Sequence, residues 1–171
     1  MTDQPTPVRI AVLTVSDSRD AATDRSGDIL VQRLTDAGHM LAERTICVDD
    51  AGEIAAHFRR WIADPEVDCV ISTGGTGVTG RDVTPEALHA VAEKTIPGFG
   101  ELFRWLSYAK IGTSTIQSRA DAGVAGGTYI FCLPGSPGAC KDGWDGILAS
   151  QLDSRHKPCN FVELFPRLQE R

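Results

Sequence analysis

No stretch of the chain approaches the roughly 20 consecutive apolar residues that a helical membrane span needs, so no membrane partner is expected. The opening residues, Met1 to Pro7, are polar and lack the basic-then-apolar layout of a secretory signal, which makes the cytoplasm the expected location. A Cys-x-x-Cys pair is missing, and no histidine stands at zinc-ligand spacing from Cys47, Cys69, Cys132, Cys140 or Cys159. Five scattered cysteines suit a reducing compartment, and Cys69 and Cys132, inside apolar runs, read as small core residues. A basic excess is missing too. The formal net charge of -6 argues against nucleic acid as a partner. It leaves room for a small anion held by local arginines and backbone N–H groups. Repeats, low-complexity segments and interior linkers are absent.

What is present fits one α/β domain. Of 171 residues, 42% are hydrophobic and 23% charged, enough to bury a real core. The expected organisation is a flexible stretch over 1–7, a domain over 8–152, and a tail over 153–171 packed on the domain or on a neighbouring subunit. Short β-branched runs alternate with amphipathic segments. Strands are predicted at Val8–Val15, Leu41–Val48, Asp68–Thr73 and Thr128–Leu133. Helices are predicted at Ser26–Ala37, Gly52–Ala63, Pro85–Lys94 (with Thr84 as N-cap), Phe99–Lys110 and Pro137–Gln151. This alternation predicts a single-domain, open, mostly parallel sheet with helices on both faces. Such sheets bind ligands beyond the carboxyl ends of their strands.

The segment after the third strand, STGGTGVTGRDVTPE from Ser72 to Glu86, is the most informative. Gly74, Gly75, Gly77 and Gly80 fall within seven residues, and ordering so many glycines is costly. A plain turn would need fewer. The surplus points to a loop whose backbone approaches a ligand and offers N–H groups to phosphate. Gly75-x-Gly77-x-x-Gly80 matches the dinucleotide pattern literally, but no strand ending in an acid follows at the right distance. The Walker lysine is also missing. A nicotinamide oxidoreductase is therefore disfavoured.

Asp82 beside such a loop carries the wrong charge unless a cation intervenes. With Thr84 read as the cap, Asp82 is read as a Mg²⁺ ligand, directly or through water. After the second strand, Asp50 and Glu53 have capping-box spacing. That leaves Asp49 either a solvated acid or a second metal or nucleotide carboxylate. Pro134, Gly135, Ser136 and Pro137 read equally as a well-capped turn or as an anion site at a helix start. Ser118-Arg119 sets a hydroxyl beside a guanidinium, a pair suited to an oxyanion.

Together these runs resemble the molybdopterin-binding family. The run Ser72 to Glu86 is similar to its signature. GFGELFR from Gly98, IGTSTIQSR from Ile111, LPGSPG from Leu133 and PCNF from Pro158 resemble its MoaB branch. TVSD from Thr14, with Ser16 and Asp17 as further candidates, and DRSG from Asp24 match its first βα unit.

The resemblance covers roughly Ile10 to Phe161 and implies homotrimers or homohexamers. It implies Mg²⁺-dependent adenylylation of molybdopterin by ATP, giving adenylyl-molybdopterin and pyrophosphate. A non-catalytic molybdopterin carrier is the alternative, and other enzymes of the same pathway are implied as further partners. Asp49 and Asp82 fall on the family's catalytic and metal-holding acids. Thr73 to Gly77, with Gly80 and Arg81, fall on the nucleotide or pterin phosphate loop. Ser118, Arg119 and Pro134 to Pro137 fall on the pterin side.

Overall fold

The structure, a computed structural model, describes residues 4–170. Its elements in chain order are β1 (Arg9–Val15), α1 (Arg25–Asp36), β2 (Met40–Cys47), α2 (Ala51–Ile62), β3 (Cys69–Thr73), α3 (Thr84–His89), β4 (Lys94–Thr95), α4 (Pro97–Ile111), a 3-10 segment (Gly112–Gln117), β5 (Asp121–Ala125), β6 (Thr128–Leu133) and α5 (Pro137–Gly143). After α5 the chain continues through a wide turn, Trp144–Leu148, into a short helix, Ala149–Gln151, and then to a 3-10 segment, Val162–Arg167.

The sheet order is β2-β1-β3-β6-β5-β4. The first four strands are parallel, and β5 and β4 add an antiparallel edge. The sheet is thus mostly parallel, with helices on both faces.

Period-two alternation divides the core. Ile10 and Val12 of β1, Cys69 and Ile71 of β3, and Tyr129, Phe131 and Leu133 of β6 face one layer, packed by Leu30 and Leu34 of α1, Phe99 and Phe103 of α4, and Cys140 of α5. Ala11, Leu13, Val70, Ile130 and Cys132 face the other, against Ile54, Phe58 and Trp61 of α2 and Leu88 of α3. Cys69 and Cys132 are fully buried, as expected of core residues.

Three differences from the expected elements have physical reasons. The segment Asp121–Ala125 is built of small residues, and Lys94–Thr95 is polar and exposed, so neither carries a hydrophobic strand signal. The helix expected over Pro85–Lys94 closes at His89 because the chain must turn into β4, where Glu93 N–H donates to the Val124 carbonyl. Thr84 is not a cap. It is the first helical residue, and its hydroxyl donates to the Gly74 carbonyl at 2.9 Å.

The expected flexible stretch falls partly on residues 1–3, outside the described residues. Within it the Thr6 amide donates to Ser154 Oγ at 2.9 Å. The tail lies on its own domain. Phe161 and Phe165 pack on Tyr129, and Gln169 donates to the Gly126 carbonyl. In α4, Phe103 enters the core while Trp105 and Tyr108 are exposed.

Candidate functional site

From β1 the chain first runs outward to β2, then returns to place β3 on the opposite side of β1. The loops leaving β1 and β3 therefore part at their carboxyl ends, and a crevice opens there. A cavity of about 510 Å³ occupies this position, with walls from the loops after β1, β2, β3 and β6.

The glycine loop forms its floor. Gly74 and Gly75 take φ of 101° and 68°, a region where side chains are strained. The Gly74 amide donates to the Leu133 carbonyl, and Thr84 takes the Gly74 and Gly75 carbonyls through its hydroxyl and amide. The amides of Gly75, Thr76 and Gly135 remain. They lie on the cavity wall and have no acceptor among the described residues. Thr73 and Pro134 line the same wall and bond to each other, Thr73 Oγ1 donating to the Pro134 carbonyl at 2.9 Å.

The two candidate acids lie against alternate glycines of this loop. A Cβ on Gly75 would sit 3.1 Å from Asp49 Oδ1, and one on Gly77 would sit 2.7 Å from Asp82 Oδ2. Side chains at either position would push the carboxylates away. Asp82 is fixed by the Thr79 amide at 2.9 Å and the Thr79 hydroxyl at 2.6 Å. Burial pushes its carboxyl up, but those donors and the Gly77 amide outweigh burial and hold it below the usual range. Asp49 behaves oppositely. Burial, then the charges of Asp17 and Asp82, push its carboxyl above the usual range, against the pull of Arg81 and the Asp17 amide.

The cationic side was not singled out from the sequence. Arg19 and Arg25 line the cavity, and neither guanidinium has an ion-pair partner among the described residues. Arg25 opens α1, and its neighbour Ser26 lines the same space. Its cap, Asp24, is buried and ionised; it accepts from the Gly27 amide, the Thr14 hydroxyl and Arg44. The available signal was the DRSG run, noted for its family likeness but not assigned to the site. Thr14, Thr23, Ser26 and Gln117 also line the wall and carried no signal of their own.

The other candidates divide between the wall and its surroundings. Ser16, Ser118 and Pro137 are on the wall. Gly80 is in open space. Arg81 and Asp17 clasp each other at the rim, at 2.9 Å in both bonds, and Asp17 also accepts the Asp49 amide. Ser136 caps α5 by accepting from the Ala139 amide.

Arg119 departs from the expected oxyanion contact. Its amide donates to the Thr76 carbonyl, Nε to the Gly77 carbonyl, one terminal nitrogen to the Asp82 carbonyl, and the head pairs with Glu86. Arg119 braces the glycine loop from behind, because its fork takes the Gly77 and Asp82 carbonyls and the Glu86 carboxylate while its amide takes the Thr76 carbonyl. Asp50 caps α2 by accepting from the Glu53 amide, but its own amide goes to the Val48 carbonyl, so half of the capping box forms.

A doubly wound α/β domain with free amides, unpaired arginines and a carboxylate pair at its switch point is a small-ligand site with one anion-seeking and one cation-seeking wall. Residues 11–154 match the family described as "Probable molybdopterin binding domain", and the chain belongs to that family. It is 48% identical over 155 residues to molybdenum cofactor biosynthesis protein B of Escherichia coli strain K12, covering 91% of each chain. It is 41% identical to the protein of that name from Bacillus subtilis strain 168, over 88% of this chain and 89% of that one. A crystal structure of molybdenum cofactor biosynthesis protein B superposes with a TM-score of 0.85 at 40% identity, covering 88% of this chain and 94% of that one. The tungsten cofactor synthesizing protein MoaB of Pyrococcus furiosus superposes at 0.76 with 34% identity, over 85% and 93%. No helix among the described residues is long and apolar enough to cross a membrane.

Proposed function

We propose that the chain acts in molybdenum cofactor biosynthesis, binding molybdopterin and transferring the adenylyl group of ATP onto its terminal phosphate. One observation carries this reading: Asp49 and Asp82 lie against Gly75 and Gly77 of a loop that still has free amides on the same wall.

In the reaction, an oxygen of the molybdopterin phosphate attacks the α-phosphorus of ATP. A new P–O bond forms, the bond to the β-phosphate bridging oxygen breaks, and pyrophosphate leaves. The second pKa of a phosphate monoester is about 6, so the nucleophile is ionised at neutral pH and needs no general base. The obstacle is charge: two unit charges at 4 Å repel by about 4 kcal/mol at an effective dielectric near 20. The Gly75, Thr76 and Gly135 amides and the Arg19 and Arg25 guanidiniums offset the negative charge of both substrates.

Asp49 and Asp82 would hold Mg²⁺, and the donor set fits a hard cation. Both donors are carboxylate oxygens, and the Asp49 carboxyl is pushed up by burial and then by the charges of Asp17 and Asp82, a negative charge that a dication offsets. Mg²⁺ bound there would neutralise ATP oxygens and the departing pyrophosphate. Arg119 keeps the loop, and with it Asp82, in place.

The exposed apolar face of α4 and the following segment, including Trp105, Tyr108 and Ile116, would serve contact between copies of the chain in a trimer or hexamer. A cytoplasmic location suits both substrates. Mixing the protein with molybdopterin, ATP and Mg²⁺ tests the reading. Stoichiometric pyrophosphate release is expected; tight molybdopterin binding with no release would replace the transferase with a carrier.

A further inference from the structure

Spacing rules along the chain exclude zinc modules, yet folding brings a thiol, an imidazole and a carboxylate together outside the cavity. Cys47 ends β2, and Glu53 and His57, four residues apart, share one face of α2. The Cys47 thiol, a Glu53 carboxylate oxygen and a His57 ring nitrogen all lie within 4.8 Å of one another. No hydrogen bond among the described residues engages any of these three groups. A buried thiol alone is an ordinary small core group. Here two unpartnered polar side chains also converge on it. Cys47 is buried, His57 is half-buried and leans on Trp61 with ring centroids 5.6 Å apart, and Glu53 is exposed. One side of the trio is therefore closed by the core and the other is open to solvent.

We propose that Cys47, Glu53 and His57 form a binding site for a transition-metal dication of the zinc type, with water in the fourth position. Thiolate, imidazole and carboxylate are the ligand types that Zn²⁺ takes, at roughly 2.0–2.3 Å from the metal. Tetrahedral geometry at those lengths sets donors roughly 3.3–3.8 Å apart, so a pair at the 4.8 Å limit would close by about 1 Å. Rotation of Glu53 and His57 supplies that movement, since no hydrogen bond restrains either side chain. On binding, the thiol releases its proton to solvent. The thiolate and the Glu53 carboxylate then balance the dication.

The trio differs in kind from the Asp49–Asp82 pair. Sulfur and nitrogen donors select against Mg²⁺, which prefers oxygen. A metal held here would link the end of β2 to the first turns of α2, on either side of Asp49. The site does not depend on the proposed reaction.

Co²⁺ is the direct probe. The full chain, reduced and free of nucleotide, is titrated with Co²⁺ and followed by absorption. A near-ultraviolet thiolate-to-cobalt band saturating at one equivalent is expected, displaced by Zn²⁺ and absent in Cys47→Ser. His57→Gln and Glu53→Gln, at partly exposed positions that leave the core intact, should each weaken Co²⁺ affinity about tenfold or more, the scale of losing even an outer partner of a metal site. Absence of the band overturns the proposal. So does a band that survives in Cys47→Ser, as exposed Cys159 would produce, or unchanged affinity in both α2 variants.

Discussion

Asp24 and Asp49 both follow strands at the carboxyl edge of the sheet and both line the same cavity, yet their surroundings oppose each other. Asp24 is 1% exposed, and burial alone would push its carboxyl up. Thr14, Arg44 and the Gly27 amide outweigh burial and keep it ionised below the usual range. Asp49 is less buried, yet its carboxyl is pushed up by burial and by the charges of Asp17 and Asp82. A carboxylate with both oxygens answered by donors serves the fold. A carboxylate left among like charges stores a local conflict, and such conflicts cluster where a ligand is to resolve them.

The largest expected effect separates the two acids by function. Asp49→Asn or Asp82→Asn should lower single-turnover pyrophosphate release by about 100-fold or more, since metal neutralisation of the transition state is worth several kcal/mol. Molybdopterin affinity, measured by fluorescence titration, should change little.

The converse holds for stability. Asp24→Ala strips partners from Thr14, Arg44 and the start of α1, and urea unfolding should show a loss of about 3 kcal/mol. A carboxyl whose folded pKa is depressed stabilises above its unfolded pKa and loses that contribution as pH falls through the folded value. The gap between the native chain and Asp24→Ala should therefore narrow below about pH 4.

Arg119→Gln tests whether the glycine loop needs its brace. It frees the Gly77 and Asp82 carbonyls, so kcat should fall about tenfold with the KM for ATP nearly unchanged, the scale expected for a small displacement of reacting groups. Arg119→Lys should restore only part, because an ammonium cannot reproduce the fork.

The smallest effect is the most diagnostic of the conflict at Asp49. A raised folded pKa stabilises only below the unfolded pKa, and that contribution is lost as pH rises through the folded value. At neutral pH the Asp49 charge is therefore a net cost. Asp49→Asn should raise Tm at pH 7 by the equivalent of less than about 1 kcal/mol, since the group is partly exposed. The gain should vanish near pH 4 and below.

Much of this was legible along the chain, for identifiable reasons. The runs at β1, β3 and β6 are buried on both faces and read as continuous apolar strands, so the parallel core and its carboxyl edge were visible. The antiparallel edge was not, because Asp121–Ala125 and Lys94–Thr95 gain their pairing from neighbours rather than from hydrophobicity. Asp49, Asp82 and the glycine loop stood out as acids and glycines beyond what capping and turning require. Their grouping depends on two φ angles that only the fold fixes. Arg119 carried a charge suited to an anion, but the Gly77 and Asp82 carbonyls and the Glu86 carboxylate claim it. Arg19 and Arg25 carried the same charge in an ordinary polar stretch, and only tertiary structure leaves them unpaired. Cys47 and His57 are ten positions apart across a strand-to-helix turn, a spacing no linear metal motif describes.

A double-mutant cycle on the two carboxylates tests most directly whether they hold one cation. Single-turnover pyrophosphate release is measured at saturating Mg²⁺ for the native chain, Asp49→Asn, Asp82→Asn and the double variant. Residues that act through one shared ion are strongly non-additive, so the double variant should release pyrophosphate within a few-fold of the slower single variant. Rate losses that multiply, or a single variant that keeps the native rate, would contradict a shared ion.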